Sequence, residues 1–461
     1  LAEKSASIQA VQSQVSKSVR LSAIGKIPPM RIALGLIMSL ALHSRAVAFA
    51  AEPPTELTLA QAVRIATGNS PSLAAFAADM DATGAEKKKA VASFFPAVDV
   101  TANQGLISGG NQRAASALSL QLTETLFDSG ISILNYDSSA LRKQISELRY
   151  QNARDLLALS LAQQFARYSL NQNLLEVQQA QFDTVKKQHT TIEALYRQGV
   201  KTRKDFLRFT TELRRNEIDL ISARTAIERS RVEIRRLMGW DNGAPMPPDF
   251  KAIAVDIKSV EKIPQRAPDI AGHFQYRIAT LQSEVFGNEV SVASRKFWPQ
   301  LSLTAGADYV EDDYLRVGRG MNGFSGSNWN MLATVKWNLM DWGIRRRDIQ
   351  IASARKIQQE RQIQDGLNTF AADNEKLLLG LQQIHANFKL SQELLDLETK
   401  TYEFLRVEYQ NGKVSYLDLI VGLRDLLSAK VKLFTSYFEL QELLFQYRYH
   451  EGRLYESFQE A

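Results

Sequence analysis

The side chains that could do chemistry are few and scattered. Five histidines occur, His43, His189, His273, His385 and His450, and no two stand at a metal-ligand spacing such as H-E-x-x-H. Cysteine is absent, which excludes disulfides, thiolate metal sites and a cysteine nucleophile, and leaves no acceptor in this sequence for an N-terminal lipid. No glycine-rich phosphate loop follows a strand pattern, and an isolated carboxylate on a helix reads first as a solvated face, not a general base. This inventory argues against an enzyme and implies neither cofactor nor metal. What stands out is a pattern that occurs twice, Y-x-x-G-x-x-x-x-x-D, as Tyr196, Gly199 and Asp205 and again as Tyr409, Gly412 and Asp418. The glycine supplies the left-handed residue that ends a helix. The aspartate, about one turn into the next helix, sets a carboxylate near a positive helix N-terminus.

The elements that must position these residues follow from the rest of the chain. Its 461 residues are 45% hydrophobic and 23% charged, the balance of a folded protein. The net charge of +6 is dispersed, with no polybasic block interleaved with aromatics, so nucleic acid is not an expected partner. From Met30 the text places Arg31 before an apolar run, Ile32–Leu42, and small residues around Ala48, Phe49 and Ala50. That is the pattern of a secretory signal, with cleavage expected after Ala50. Residues 1–50 are therefore read as an upstream segment and signal peptide. No later stretch offers the ~20 apolar residues of a spanning helix, so any membrane crossing must use strands.

Self-similarity organises the remainder. Leu126, Asp128 and Gly130 recur as Leu339, Asp341 and Gly343 at the same offset that aligns the two Tyr-Gly-Asp patterns. Phe94-Phe95-Pro96 likewise recurs as Phe297-Trp298-Pro299. The spacing predicts a first repeat over 51–238, a proline-rich linker over 239–268 and a second repeat over 269–461. Each repeat opens with a helix (57–93 and 270–296) stopped by its aromatic-aromatic-proline triplet. Two alternating runs follow in each, around 98–103 and 118–123, then 301–308 and 331–339, joined by glycine-rich loops. Their period of two gives one apolar and one polar face. Next comes an uninterrupted helical run (135–196 and 345–409) of roughly 90 Å at helical rise, and a shorter returning helix (203–238 and 416–454).

Four strands cannot close a bilayer barrel, and open edges are not tolerated in lipid. Three copies would give twelve strands and a lumen, whereas two would give eight strands and a filled interior. A homotrimer in contact with lipid is therefore expected. Phe94, Phe95, Phe127, Phe297, Trp298 and Trp337, with Trp329 and Trp342, fit an aromatic girdle at the membrane interfaces. The fold class is thus mainly α with a membrane β-barrel: internally duplicated, four strands and long antiparallel helices per chain.

These residues resemble the TolC-like outer-membrane factors, the outer membrane efflux protein family. The resemblance covers essentially all of the mature chain. It rests on the opening LTLAQAVRIATGNSPSL (Leu57–Leu73), the doubled F-[FW]-P before a strand and the doubled hairpin pattern. It implies a trimeric 12-stranded barrel in the outer membrane of a Gram-negative bacterium and an α-helical tunnel through the periplasm. In that family the shorter returning helix of one copy stacks end-on against the opening helix of another. The implied function is the exit duct of a tripartite efflux pump or type I secretion system. Its implied partners are a periplasmic adaptor and an inner-membrane transporter. By the same resemblance Asp418, Tyr409 and Asp205 mark the periplasmic gate, Asp418 recurring as an acidic ring in a trimer. Gly199, Leu207, Gly412 and Leu419 mark the adaptor-docking tips. The chain departs from the family pattern at Val414, where an arginine is usual, and at Val421, where a second aspartate is. The rival reading is a non-conducting trimeric coiled-coil scaffold anchored by strands, which predicts sustained heptads. Runs such as Leu156–Leu170 instead carry apolar residues over a broader arc. A soluble α+β binding protein is a second rival.

Overall fold

The computed structural model describes residues 56–107, 113–240, 249–256, 260, 263–313, 324–411 and 413–459; residues 103–107, 113–117, 310–313, 324–326 and 416 are described by backbone alone. The expected signal segment lies outside the described residues. The described chain is mostly helical and carries four long strands.

The N-terminal part forms β1 (Glu56–Leu57), α1 (Leu59–Asn69) and α2 (Pro71–Ala92). One helix over 57–93 was the expectation; the structure divides it at Ser70. Pro71 has no N–H to continue a helix but suits the first helical position, and the Ser70 hydroxyl accepts the Leu73 amide at 3.5 Å. β2 (Ala97–Ile107) and β3 (Arg113–Phe127) follow, then α3 (Ile131–Arg197), α4 (Arg203–Leu237) and β4 (Asp249–Phe250). A 3₁₀ turn at Ile270–Gly272 leads into α5 (Phe274–Arg295), β5 (Gln300–Asp313), β6 (Phe324–Lys336), α6 (Ile344–Gln410), α7 (Tyr416–His450) and α8 (Leu454–Gln459).

The sheet runs β2-β3-β5-β6 with every pairing antiparallel, and the β3–β5 ladder joins the two halves of the chain. β2 and β6 are its edges. β6 ends at Lys336, so Trp337 and Leu339, expected within the last strand, lie in the connection beyond it. Alternation alone could not place that end, because the apolar period continues past the last ladder bond.

The Asp-x-Gly pattern that revealed the repeat has a structural task at the strand-to-helix corner. Ser129 and Gly130 adopt φ of 62° and 77°, and Trp342 and Gly343 adopt 56° and 88°. Two consecutive left-handed residues turn the chain sharply, a conformation costly for a non-glycine residue. The aspartate holds the turn: Asp128 accepts the amides of Gly130 (3.0 Å) and Ser132 (2.6 Å). Asp341 accepts those of Gly343 (3.0 Å) and Arg345 (3.1 Å).

Beyond the corners, α3 and α6 each run 67 residues, about 100 Å at helical rise, and α4 and α7 return for 35 residues each. Two apolar cores lie part-way along these helices. Phe165 and Leu161 of α3 pack with Ile234, Met238, Phe250 and Leu454. Leu381 and Phe388 of α6 pack with Leu433, Tyr437, Phe438 and Val260. The segment expected as a linker thus contributes Phe250 to the first core and Val260 to the second. It is also tied to the helices by polar contacts: the Tyr168 hydroxyl donates to Asp249 (3.0 Å), the Ile253 amide to Ser169 (2.8 Å) and the Tyr437 hydroxyl to the Ala254 carbonyl (3.2 Å).

Candidate functional site at the helix-hairpin tips

At the far end of α3 the chain reverses over five residues. The amide of Gly199 (φ 74°) donates to the Tyr196 carbonyl, and those of Val200 and Lys201 to the Leu195 carbonyl at 2.9 and 3.3 Å. These bonds satisfy carbonyls that the helix end would otherwise leave open. Thr202 then caps α4: its hydroxyl accepts the Asp205 amide (3.2 Å) and donates to the Asp205 carboxylate (2.8 Å), which also accepts the Thr202 amide (3.4 Å). Tyr196 stacks on Phe206 with ring centroids 5.2 Å apart, and His189 lies 5.5 Å from the same ring, clasping the hairpin.

The second tip repeats the capping chemistry. Ser415 caps α7, accepting the Asp418 amide (3.3 Å) and donating its hydroxyl to the Asp418 carboxylate (2.6 Å). That carboxylate also accepts the Ser415 amide at 3.1 Å. Gly412 lies outside the described residues; beside it, the Lys413 amide donates to the Glu408 carbonyl at 2.9 Å. Both aspartates therefore occupy the third helical position of a reciprocal capping box. The Thr202 hydroxyl holds the Asp205 carboxyl below the usual range, with Lys201 and Lys204 adding to the effect. The Ser415 hydroxyl and amide do the same for Asp418. Each is an anion at neutral pH.

The remaining tip residues separate. Tyr409 and Leu207 are exposed, at 39% and 53%, but Leu419 is buried, at 9%. Leu419 aligns with Phe206 rather than with Leu207, and both positions face inward from the cap. The exposed apolar residues at the start of α7 are Leu417 and Val421, both outside the expected docking set. Between the first tip and the start of α7 lies a cavity of about 340 Å³, lined by Ile192, Phe209 and Ile420 with Lys201, Asp205 and Arg208. The two tips are thus side by side.

The six girdle aromatics are all exposed, and all lie at the helix-proximal end of the sheet. Phe94 and Phe95 precede β2, Phe127 ends β3, Phe297 and Trp298 precede β5, and Trp337 follows β6. The Trp337 indole donates to the Phe297 carbonyl at 3.1 Å, fixing one ring in this belt. Trp329 instead pairs with Ala307 within the sheet, away from that end.

Buried titratable groups lie away from the tips. Burial and the nearby His450 push His273 down to about 4. Its Nδ1 accepts the Gln275 amide at 3.2 Å, capping α5, and its ring lies 4.3 Å from that of Phe370. Burial pushes Asp155 up to about 6, opposed by neighbouring Arg154 and by the amides of Tyr455 and Leu454 at the start of α8. No cluster of three or more potential metal ligands occurs among the described residues.

Comparison with known proteins agrees with this geometry. The chain matches the family of outer membrane efflux proteins over residues 62–240 and 270–436. It is 22% identical over 420 residues to the probable efflux pump outer membrane protein TtgC of Pseudomonas putida, covering 81% of this chain and 78% of that one. Its fold is similar to the CmeC outer membrane channel of Campylobacter jejuni, with a TM-score of 0.76 at 15% identity over 95% of both chains. It is also similar to the open state of the MtrE outer membrane channel of Neisseria gonorrhoeae, with a TM-score of 0.69 at 16% identity over 86% of this chain and 89% of that one. The doubled corner-and-hairpin chain described above is thus a member of the outer membrane efflux protein family.

Proposed function

We propose that the chain is the outer-membrane exit duct of an efflux pump, three copies closing one twelve-stranded barrel above an α-helical periplasmic tunnel. The observation that carries this reading is the sheet. Four long antiparallel strands end in two unpaired edges, β2 and β6, and present Val98, Val100, Leu118, Leu120, Met331 and Val335 to the surroundings. Such a sheet is stable neither in water nor in lipid until its edges meet those of other copies. Three copies supply twelve strands, and the helices that continue from each corner extend the lumen by about 100 Å. The two repeats, 51–238 and 269–461, then serve as equivalent wall segments.

In this reading the chain is a passive conduit without cofactor, and its capped tips form the periplasmic entrance. Asp418 and Tyr409 narrow it, Asp205 stands beside them, and a periplasmic adaptor opens it for an inner-membrane transporter. Gly199 sets the first hairpin turn, Gly412 is its counterpart in the second sequence pattern, and exposed Leu207 contributes to the docking face. Buried Leu419 supports the tip from within. The family relation and the match to a probable efflux pump protein favour efflux over protein secretion as the duct's service.

The test is conductance of the detergent-purified protein in planar bilayers, together with dye accumulation in cells lacking the chain. The duct reading expects channels, cation-preferring through Asp418, and a rise in retained dye on deletion. Particles that never conduct, even with their tips opened by mutation, would favour the non-conducting scaffold.

A further inference from the structure

The two tips align residue for residue yet differ in charge. Between Arg197 and Arg208 the first tip carries five cations, Arg197, Lys201, Arg203, Lys204 and Arg208, against the single carboxylate of Asp205. The equivalent positions of the second tip are Gln410, Val414, Tyr416, Leu417 and Val421 around Asp418, with Lys413 the one cation between Gln410 and Val421. All five cations of the first tip are exposed. Arg197 pairs with Glu193 at 2.6 Å, and among the described residues none of the other four makes an ion pair. Exposed Val200 and Leu207, at 66% and 53%, lie among them. The first tip is therefore a basic surface with apolar points, and the second is nearly neutral.

We infer that the first tip is the docking surface for an acidic, partly apolar face of a protein partner, one such face per chain, and that the second tip is not an equivalent site. The inference deepens the adaptor-docking role proposed above and rests on that reading. Like charges that outnumber their counter-charges raise a potential that draws an oppositely charged surface and sets its orientation. Val200 and Leu207 supply contacts that a purely electrostatic encounter lacks. An anionic bilayer is the other surface a basic tip could meet. It is disfavoured by the neighbouring tip, where exposed Glu403, Glu408 and Asp418 are balanced by exposed Arg406, Lys413 and Arg424. A uniformly negative plane would draw one tip and leave the other unattracted, whereas a protein face can be patterned to suit both.

The test uses the detergent-purified full chain and a fluorescent synthetic helical peptide with glutamates on one face and leucines on the other. One peptide should bind per chain, weakening as salt shortens the range of surface charge. Giving the first tip the residues of the second, Lys201→Val with Arg208→Val, should weaken binding at least about tenfold, the scale of losing close charge pairs. The reciprocal exchange, Val414→Lys with Val421→Arg, should create a second site per chain. Unchanged binding in the first variant, or equal binding of a lysine-leucine peptide, overturns the inference. So does capture by phosphatidylglycerol vesicles, but not by the acidic peptide, which would identify a membrane surface instead. In cells, Lys201→Glu with Lys204→Glu and Arg208→Glu should retain dye as the deletion does. If deletion raises dye and this variant does not, the duct reading stands and the docking inference fails. If deletion leaves dye unchanged, it is the duct reading that fails.

Discussion

The two hairpin tips share one backbone and present different surfaces. Both close with a hydroxyl-aspartate capping box, Thr202 with Asp205 and Ser415 with Asp418, and both launch a 35-residue returning helix. Around that shared frame the first tip sets Lys201 and Arg208 where the second sets Val414 and Val421. It also stacks Tyr196 on Phe206, where the second has Tyr409 and Leu419. A duplicated chain can thus keep its capping chemistry, which the backbone requires, while letting the surface diverge. Val414 and Val421, where the chain departs from the pattern its family resemblance implies, are two of the five positions at which a cation of the first tip is lost in the second.

Substitutions can break this comparison, and the largest effect is expected at Leu419. A buried aspartate there should destabilise the second hairpin by about 3 kcal/mol or more, because an unpaired carboxylate would be taken out of water. The matching change at exposed Leu207 should cost under about 0.5 kcal/mol yet reduce efflux, since only the surface changes. Amide hydrogen exchange along the two hairpins separates these outcomes. Phe206→Ala should cost about 2 kcal/mol by removing the Tyr196 stack and the His189 contact, again read as faster exchange near that tip.

Smaller and equal effects are expected from the caps. Thr202→Ala and Ser415→Ala should each cost about 1 kcal/mol, because each removes one side of a capping box. Unequal losses would mean that the shared frame is not shared energetically. Asp205 and Asp418 are held below the ordinary carboxyl value of 3.8, so their contribution is present above that pH and lost as pH falls through the lower folded-state value.

A further pH effect should appear away from the tips, at His273. Its folded-state value of about 4 lies below the ordinary 6.5, so the folded chain binds fewer protons between the two. Stability there is complete above about 6.5 and lost as pH falls toward about 4. Protonating Nδ1 would remove the acceptor for the Gln275 amide and set a cation at a helix N-terminus. His273→Asn keeps a capping acceptor and should flatten the acid-side rise in exchange of the α5 amides.

Much of this architecture was legible in the sequence because it is periodic. Alternation marked all four long strands, and the absence of proline marked the two long helices to within a few residues at their ends. The doubled Asp-x-Gly was legible as a repeat but not as a corner, since its two left-handed residues include Trp342, which no propensity rule would place there. The break at Pro71 is readable from Ser-Pro, but the helical periodicity on both sides of it is strong enough to mask it. Phe250 and Val260 lie in a stretch dominated by proline and polar residues, so their burial depends on helices distant in sequence. The burial of Leu419 and exposure of Leu207 depend on packing within the hairpins, which spacing alone does not give. The charge difference between the tips, by contrast, was open to inspection once the two patterns were aligned.

Closure of the barrel is the claim on which the duct depends, and the absence of cysteine makes it directly measurable. Asp99→Cys on edge strand β2 and Thr334→Cys on edge strand β6, treated with a short bis-maleimide in native membranes, would link the free edges of adjacent copies. A closed trimer predicts covalent species of two and three copies and none larger. A ladder continuing beyond three copies, or no linkage at all, would contradict it.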